Sequence, residues 1–342
     1  MQTARERGGC RSGIYNCRFE EPPFYLPMRI LIVKTSSLGD VIHNLPVIDD
    51  IRQHFPDAII DWCVEDSFAA IPRLHPGVVD VLPVAIRRWR KSLCCRRTWQ
   101  EIIAARGRLR AQRYDLVIDT QGLLKSALVV SQVDGKRCGY DAASAREMLA
   151  TCFYERRFAV SASAHAVVRN RQLVGAALGY TPQPAPDYGI TAAPATFDWL
   201  PPSPYVVFLT ATSRDDKLWP EEHWLELGRQ LYEQGCAAVL PAGSAPERER
   251  AARLAAGIPG AVAAPPLNIP QLAALLAGAR SAVGVDTGLT HLAVALKVPT
   301  VALYTATDPG LTGVYGTAFH CNLGGKGQVP SAGQVLEQLS AA

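Results

Sequence analysis

The feature that most constrains this chain is an alternation that stops and then begins again. Short apolar runs, each closed by a polar loop and followed by a helical pattern, fill residues 28–180. Seven prolines then fall within residues 181–204 (Pro182, Pro184, Pro186, Pro194, Pro201, Pro202, Pro204), and the alternation resumes at Tyr205. Strands alternating with helices predict parallel sheets covered by crossover helices, and a proline-dense stretch between two such series predicts a linker. At 342 residues there is enough chain for two cores. The expected fold is α/β, with two Rossmann-like, doubly wound parallel-sheet domains facing a central cleft. Their expected bounds are 28–180 and 205–342, with a final helix free to pack back on the first domain. Ligands of such sheets sit at the carboxyl ends of the strands, so the polar strand-end loops should meet.

Within the first series, residues 29–33 read as a buried strand, 35–40 as a polar loop and 41–55 as one amphipathic helix. Further strands are expected at 58–63, 78–82 and 115–119, and helices at 98–112, 123–130 and 166–178. In the second series, strands are expected at 205–209, 237–240 and 299–304, and helices at 220–234, 247–256 and 269–276. Residues 1–27 lack the apolar segment of a secretory signal, and Met28 directly precedes a strong strand. Residues 1–27 are therefore expected to be a disordered leader or an upstream mis-start.

The second series closes on Gly284-Val285-Asp286-Thr287-Gly288-Leu289-Thr290-His291, a strand end, a tight turn and the start of a helix. Thr287 and Gly288 would lie at a helix N-terminus, where free amides and the dipole attract an anion, while Asp286 projects from the strand end. An ordinary N-cap with a turn glycine explains the same letters equally well. Asp40, after Gly39, reads from spacing as a helix-start acid, although a carboxylate there can also take a proton from a hydroxyl. Lys217 reads first as a solvated loop lysine and second as a point charge for a phosphate, with Thr212 and Ser213 as hydroxyl donors beside it. His291 reads as a hydrogen-bonded core histidine. No Gly-x-Gly-x-x-Gly and no P-loop lysine is present, which argues against a nucleotide-dependent oxidoreductase. Asp215-Asp216 lacks Asp-x-Asp spacing and the cysteines lack zinc spacing, so no metal is expected.

No apolar run reaches the length of a membrane span. Charge is uneven: ten Lys/Arg and the single acid Glu101 lie between Arg87 and Arg113, so the rest of the chain is net acidic. Trp89 and Trp99 interleave this run, a pattern that suits nucleic acid, a lipid interface or an acidic small ligand. A solvated helix face explains Arg106 to Arg113 as well, but fits the loop-like Arg87 to Arg97 less.

Three blocks bring these residues together: Met28-Arg-Ile-Leu-Ile-Val-Lys-Thr-Ser-Ser-Leu-Gly-Asp-Val-Ile-His, Ser213-Arg-Asp-Asp-Lys-Leu-Trp-Pro-Glu-Glu-His-Trp and Val285-Asp-Thr-Gly-Leu-Thr-His-Leu. In order and spacing they resemble the lipopolysaccharide heptosyltransferase I family, glycosyltransferases of family 9 with the two-Rossmann GT-B fold. The resemblance runs from Met28 to near the C-terminus, and its first block separates it from the heptosyltransferase II family. It implies an ADP-heptose donor, a Kdo2-lipid A acceptor, inversion without a metal or cofactor, and a peripheral place on the cytoplasmic face of the inner membrane. Asp40 would be the base. Thr212, Ser213, Lys217, Glu247, Leu267, Asp286, Thr287, Gly288 and His291 would bind donor, with Glu249 a competitor for the place of Glu247. Arg87, Arg90, Lys91 and Arg146 would bind acceptor. The rival readings are another ADP-heptose transferase and a nucleotide-sugar- or RNA-binding module; the favoured one has no nucleic-acid partner.

Overall fold

The computed structural model describes residues 27–341 except 194; the expectations for residues 1–26 and for Pro194 lie outside it. The first series forms β1 (Arg29–Val33), α1 (Leu38–Ile42), α2 (Pro46–His54), β2 (Ile59–Glu65), β3 (Asp80–Val84), α3 (Ile86–Trp89) and α4 (Arg96–Arg110). It continues with β4 (Arg113–Asp119), α5 (Leu124–Val130), β5 (Asp134–Tyr140), β6 (Arg156–Phe158) and α6 (Ala166–Leu178). The second series forms β7 (Tyr205–Leu209), α7 (Glu221–Glu233), β8 (Ala237–Leu240), α8 (Ala245–Gly257), β9 (Val262–Ala263), α9 (Ile269–Ala277) and β10 (Ser281–Val285). It ends with α10 (Gly288–Ala295), β11 (Thr300–Tyr304), α11 (Pro309–Thr312), β12 (His320–Gly324) and α12 (Ala332–Ser340).

Each series makes one six-stranded sheet, ordered β3-β2-β1-β4-β5-β6 and β12-β11-β10-β7-β8-β9. All the pairings between these strands are parallel. The two orders are the same winding repeated, and each reverses once, between β1 and β4 and between β7 and β10. That reversal opens a crevice at the strand ends. Residues 30–33 of β1 are fully buried because helices cover both faces of the sheet.

Several elements differ from expectation. The helix expected over 41–55 is two, α1 and α2, because Pro46 has no N–H for Ile42 and restarts the helix at its own first turn. The break leaves His43 in the turn between them. Strands β5, β6, β9 and β12 were not expected: they are short or polar, and pairing with a neighbour rather than their own apolar content makes them strands. The final helix α12 stays with the second sheet, where Ala332 and Val335 join the cluster of Trp219, Trp224, Val301 and Leu303. The proline-rich stretch is no free tether. Tyr188 and Ile190 are buried, Tyr188 Oη donates to the Tyr315 carbonyl at 2.6 Å, and Asp187 pairs with Lys297 at 3.2 Å.

The two units meet where α1 lies on α10. A Cβ on Gly288 would come within 2.6 Å of the Leu38 side chain, and one on Gly39 within 3.1 Å of the His291 ring. Only a pair of glycines allows so close an approach. Beside them the His43 and His291 rings share a hydrogen bond of 3.1 Å, and His165 packs edge-on to His43 while its Nε2 bonds the Gly313 carbonyl at 3.0 Å. Burial pushes the pKa of all three below the ordinary histidine value, with His291 and His165 adding to the effect at His43. His75, buried beneath Gly189, is pushed down to about 4 by burial and Arg52. These groups take up protons more readily unfolded than folded. Their contribution to stability is therefore present above about pH 6.5, the unfolded value, and is lost as pH falls toward their folded values. The thermal midpoint should hold steady from about pH 7 until Lys34 changes charge near its value of about 8, and fall below about pH 6, with each histidine contributing a slope of at most about 1.4 kcal/mol per pH unit. A pH series of melting curves checks this, and His43→Gln should flatten the acid limb.

Candidate active site

The loops at both sheet reversals open on one cleft of about 640 Å³. From the first unit come Ser37, Leu38, Gly39, Asp40, His43, Phe68, Arg87 and Arg146; from the second, Thr212, Ser213, Lys217, Asp286, Thr287, Gly288, His291, Thr307 and Thr312. The structure thus brings together Asp40, two of the four residues expected at the acceptor and seven of the nine expected at the donor. Glu247 and Leu267 line an adjoining chamber of about 360 Å³, which shares Leu38, Thr212, Ser213 and Thr287 with the cleft. Glu249 does not line it. Arg90 and Lys91 stand apart from both. Arg90 borders an apolar groove, and Lys91 a shallow trough with Glu65, Asp66 and Arg88.

Asp40 is a helix-start acid that also lines the cleft. It is the third residue of α1, and its Oδ2 accepts from the Ser37 amide at 2.8 Å and the Ser37 hydroxyl at 2.9 Å, closing the helix start. Its Oδ1 accepts from Arg146 Nη2 at 2.9 Å, so Arg146 is shared with Asp40 at the cleft wall. Burial alone would raise the Asp40 pKa; Lys34, Arg146 and the Ser37 hydrogen bonds outweigh it and keep the carboxyl below its usual value. Lys34 was not anticipated as a site residue. It is 3% exposed at the end of β1, donates to the Thr120 carbonyl at 2.7 Å and Asn170 Oδ1 at 3.2 Å, and is pushed down to about 8 by burial. Its signal in the sequence was a lysine closing an otherwise apolar parallel strand.

The first strand-end loop keeps two of its amides within the protein. The amides of Thr35 and Ser36 both donate to Gln121 Oε1 at 3.1 Å, which leaves them to the protein. In the second unit Thr287 caps α10 and Gly288 opens it, where first-turn amides have no partner within the helix. Gly288 is required by the approach of Leu38, whatever binds there. Lys217 Nζ donates to Asp286 Oδ2 at 2.7 Å, and the Thr307 hydroxyl reaches the same oxygen at 2.8 Å. Thr212 spends its hydroxyl on the Asp286 carbonyl at 3.0 Å, tying two strand-end loops together instead of facing the cleft as a donor. Thr307 was missed, although it sits in the loop after β11, where the strand-end rule would have placed a candidate. Glu247 Oε2 accepts from the Gly243 and Ser244 amides at 2.9 Å each and so caps α8 from within the chamber. His291 is buried on His43, as a core histidine should be, and still reaches the cleft wall. The arrangement sets a carboxylate on one wall against a lysine, a hydroxyl and a helix N-terminus on the other.

Known proteins share this fold and much of this sequence. The family model for glycosyltransferase family 9 (heptosyltransferase) matches residues 102–337. Lipopolysaccharide heptosyltransferase 1 of Pseudomonas aeruginosa is 50% identical over 297 residues, covering 84% of this chain and 82% of that protein. The protein of the same name from Escherichia coli K12 is 47% identical over 291 residues, covering 84% and 91%. The solved structure of E. coli heptosyltransferase WaaC with ADP superposes with a TM-score of 0.85 at 44% identity, over 92% of this chain and 99% of that one. Its counterpart with ADP-2-deoxy-2-fluoro heptose superposes at 0.83 and 42%, with the same coverage. The chain belongs to glycosyltransferase family 9, the heptosyltransferases, on the side of its lipopolysaccharide heptosyltransferase 1 members, and is a glycosyltransferase.

Proposed function

We propose that the chain transfers L-glycero-D-manno-heptose from ADP-heptose to the Kdo region of Kdo2-lipid A, with inversion and without a metal, as the first heptose of the lipopolysaccharide inner core. The observation that carries this reading is the opposition of Asp40 to Lys217 and the α10 N-terminus across one cleft. Inverting transfer needs a base on one face of the sugar and charge stabilisation for the leaving diphosphate on the other. The donor belongs on the second unit. Its adenine fits between Leu267, Ile269 and Leu272 in the side chamber, its ribose reaches Glu247, and its diphosphate lies over Thr287, Gly288 and Ser213. Lys217 moves from Asp286 to the phosphates as their charge grows, and freed Asp286 takes heptose hydroxyls.

On the opposite wall Asp40 removes the proton from the Kdo hydroxyl as that oxygen bonds to the anomeric carbon and ADP departs. A carboxylate held below its usual pKa is a weak base at rest. The hydroxyl becomes acidic only as the new bond forms, so proton transfer is late. Arg146 keeps Asp40 ionised and lies within reach of an acceptor carboxylate, while Arg87, half over the Phe68 ring, offers the cleft a second cation. Arg90 and Lys91 act on the same anionic acceptor from outside the cleft. Trp99, Leu93 and Ile103 are exposed beside this basic run, which supports a peripheral seat on an anionic membrane face. Among the described residues no helix is long and apolar enough to cross a membrane.

The direct test incubates purified protein with a panel of sugar nucleotides and Kdo2-lipid A, following ADP release and the mass gain of one heptose. Tight, salt-sensitive RNA binding without turnover would favour the binding-module reading instead. Asp40→Asn keeps the size and one acceptor oxygen for Ser37, so turnover should drop by roughly 10²- to 10⁴-fold while the melting midpoint and ADP-heptose affinity stay close to wild type. Near-normal turnover in a folded variant would leave Asp40 as a helix cap alone. Lys217→Ala should weaken donor binding and slow turnover together, read by titration and single-turnover kinetics; unchanged values would remove it from the donor site. Arg87→Glu should raise the acceptor KM by about tenfold or more, the loss of one charge-assisted hydrogen bond, and spare donor affinity. Lys91→Glu should do less, because Lys91 stands outside the cleft.

A further inference from the structure

The apolar groove that Arg90 borders measures about 660 Å³ and opens between α3, α4 and α5. Ile86, Trp89, Ile102, Ala105, Leu124 and Leu128 form its walls, with Leu128 51% and Leu124 37% exposed. A packing fault does not reach this size in a close-packed interior, and the volume falls within the roughly 300–1,000 Å³ of small-ligand sites. Its border is cationic: Arg90, Arg106 and Lys125 stand there against one acid, Glu147, whose carboxylate already accepts from the Leu124 amide at 2.6 Å.

The groove also lies beside the catalytic cleft, although the two share no lining residue. Lys125 lines the groove and donates to the Ser36 hydroxyl at 2.5 Å, next to Ser37 in the cleft. Glu147 in the groove follows Arg146 in the cleft, and Arg90 in the groove lies three residues after Arg87 in the cleft. An occupant must therefore be apolar at one end and anionic where it crosses toward Asp40. Further exposed apolar side chains, Met148 and Leu149, follow Glu147 directly.

We propose that this groove holds one acyl chain of the lipid acceptor and so directs the anionic head group past Arg90 and Lys125 toward Asp40. The inference rests on the acceptor reading above and adds a chain-binding subsite to it. Each methylene withdrawn from water favours binding by about fourfold, so a charge placed in the wall should be felt strongly by an acylated acceptor and not by a deacylated one.

The experiment compares wild type with Leu128→Asp and Leu124→Asp, both at exposed positions that tolerate a polar side chain, on Kdo2-lipid A and on its fully deacylated form. The expected result is an acceptor KM raised about tenfold or more for the acylated acceptor, with turnover and both constants for the deacylated acceptor unchanged. An equal rise for both acceptors, or none for the acylated one, overturns the inference while leaving the transferase reading intact. A second arm measures calorimetric binding of 1-myristoyl lysophosphatidic acid, below its micelle concentration, against glycerol 3-phosphate. Wild type should prefer the acylated probe by about tenfold or more and Leu128→Asp should lose the preference; equal binding of the two probes by wild type overturns it. Absence of transfer by wild type to either acceptor would instead refute the transferase reading, and the lysolipid arm then decides by itself whether the groove takes a chain.

Discussion

The site depends on the contact of α1 with α10. Two α/β units of the same winding share a buried apolar cluster that runs from Ile32 and Val41 in the first to Leu209 and Leu292 in the second, and neither alone carries a complete constellation. Gly39 and Gly288 let the two short helices approach until Leu38 lies over the α10 N-terminus, and the His43–His291 hydrogen bond closes the seam beside them. That approach sets Asp40 and the α10 amides on facing walls. A Cβ at Gly288 would come within 2.6 Å of Leu38 and one at Gly39 within 3.1 Å of His291, so a side chain at either would force the seam to shift, and small shifts at a reacting site are costly. The seam also disfavours charge, because burial lowers the pKa of His43, of His291 and of the half-buried His165 there.

Around the seam, charges are paired in a way that keeps each wall ready and unspent. Asp40 is held ionised by Arg146, Lys34 and the Ser37 hydrogen bonds. Asp286 is held by Lys217 and Thr307 on the opposite wall. On the proposed function these are the side chains an anionic donor and an anionic acceptor would rearrange: a diphosphate would compete with Asp286 for Lys217, and a sugar carboxylate with Asp40 for Arg146. Deeper pairs have no such freedom. Arg171 grips Asp50 with two hydrogen bonds of 2.7 Å between α6 and α2, both side chains almost wholly buried, and removing one partner there would leave an uncompensated charge in the core.

The basic run divides in the same spirit. Glu101, its single acid, gathers Arg88, Arg97 and the Trp89 indole. Arg87 turns to the cleft, while Arg90 and Arg106 border the groove. A stretch that reads as one patch along the chain is three surfaces once α3 and α4 have folded.

By itself the sequence determined the winding and the loops. Buried parallel strands must be apolar on both faces and their crossovers amphipathic, so residues 29–33, 166–178, 205–209 and 237–240 declare themselves through local composition, and strand-end polarity marks where a ligand can sit. It also contained three spaced blocks whose likeness to a family named the chemistry. Tertiary structure alone decided the rest. Polar β5 and β12 are strands because a neighbour offers hydrogen bonds, and α12 stays on the second sheet because Trp219 and Trp224 present a surface for it. Asp40 is both cap and cleft carboxylate, a choice its spacing left open, because Arg146 arrives from 106 residues away. Thr212 is diverted to Asp286, and Arg90 is turned out of the cleft, for the same reason. Which polar groups remain free for a ligand depends on contacts between distant segments, and short-range spacing carries no record of those.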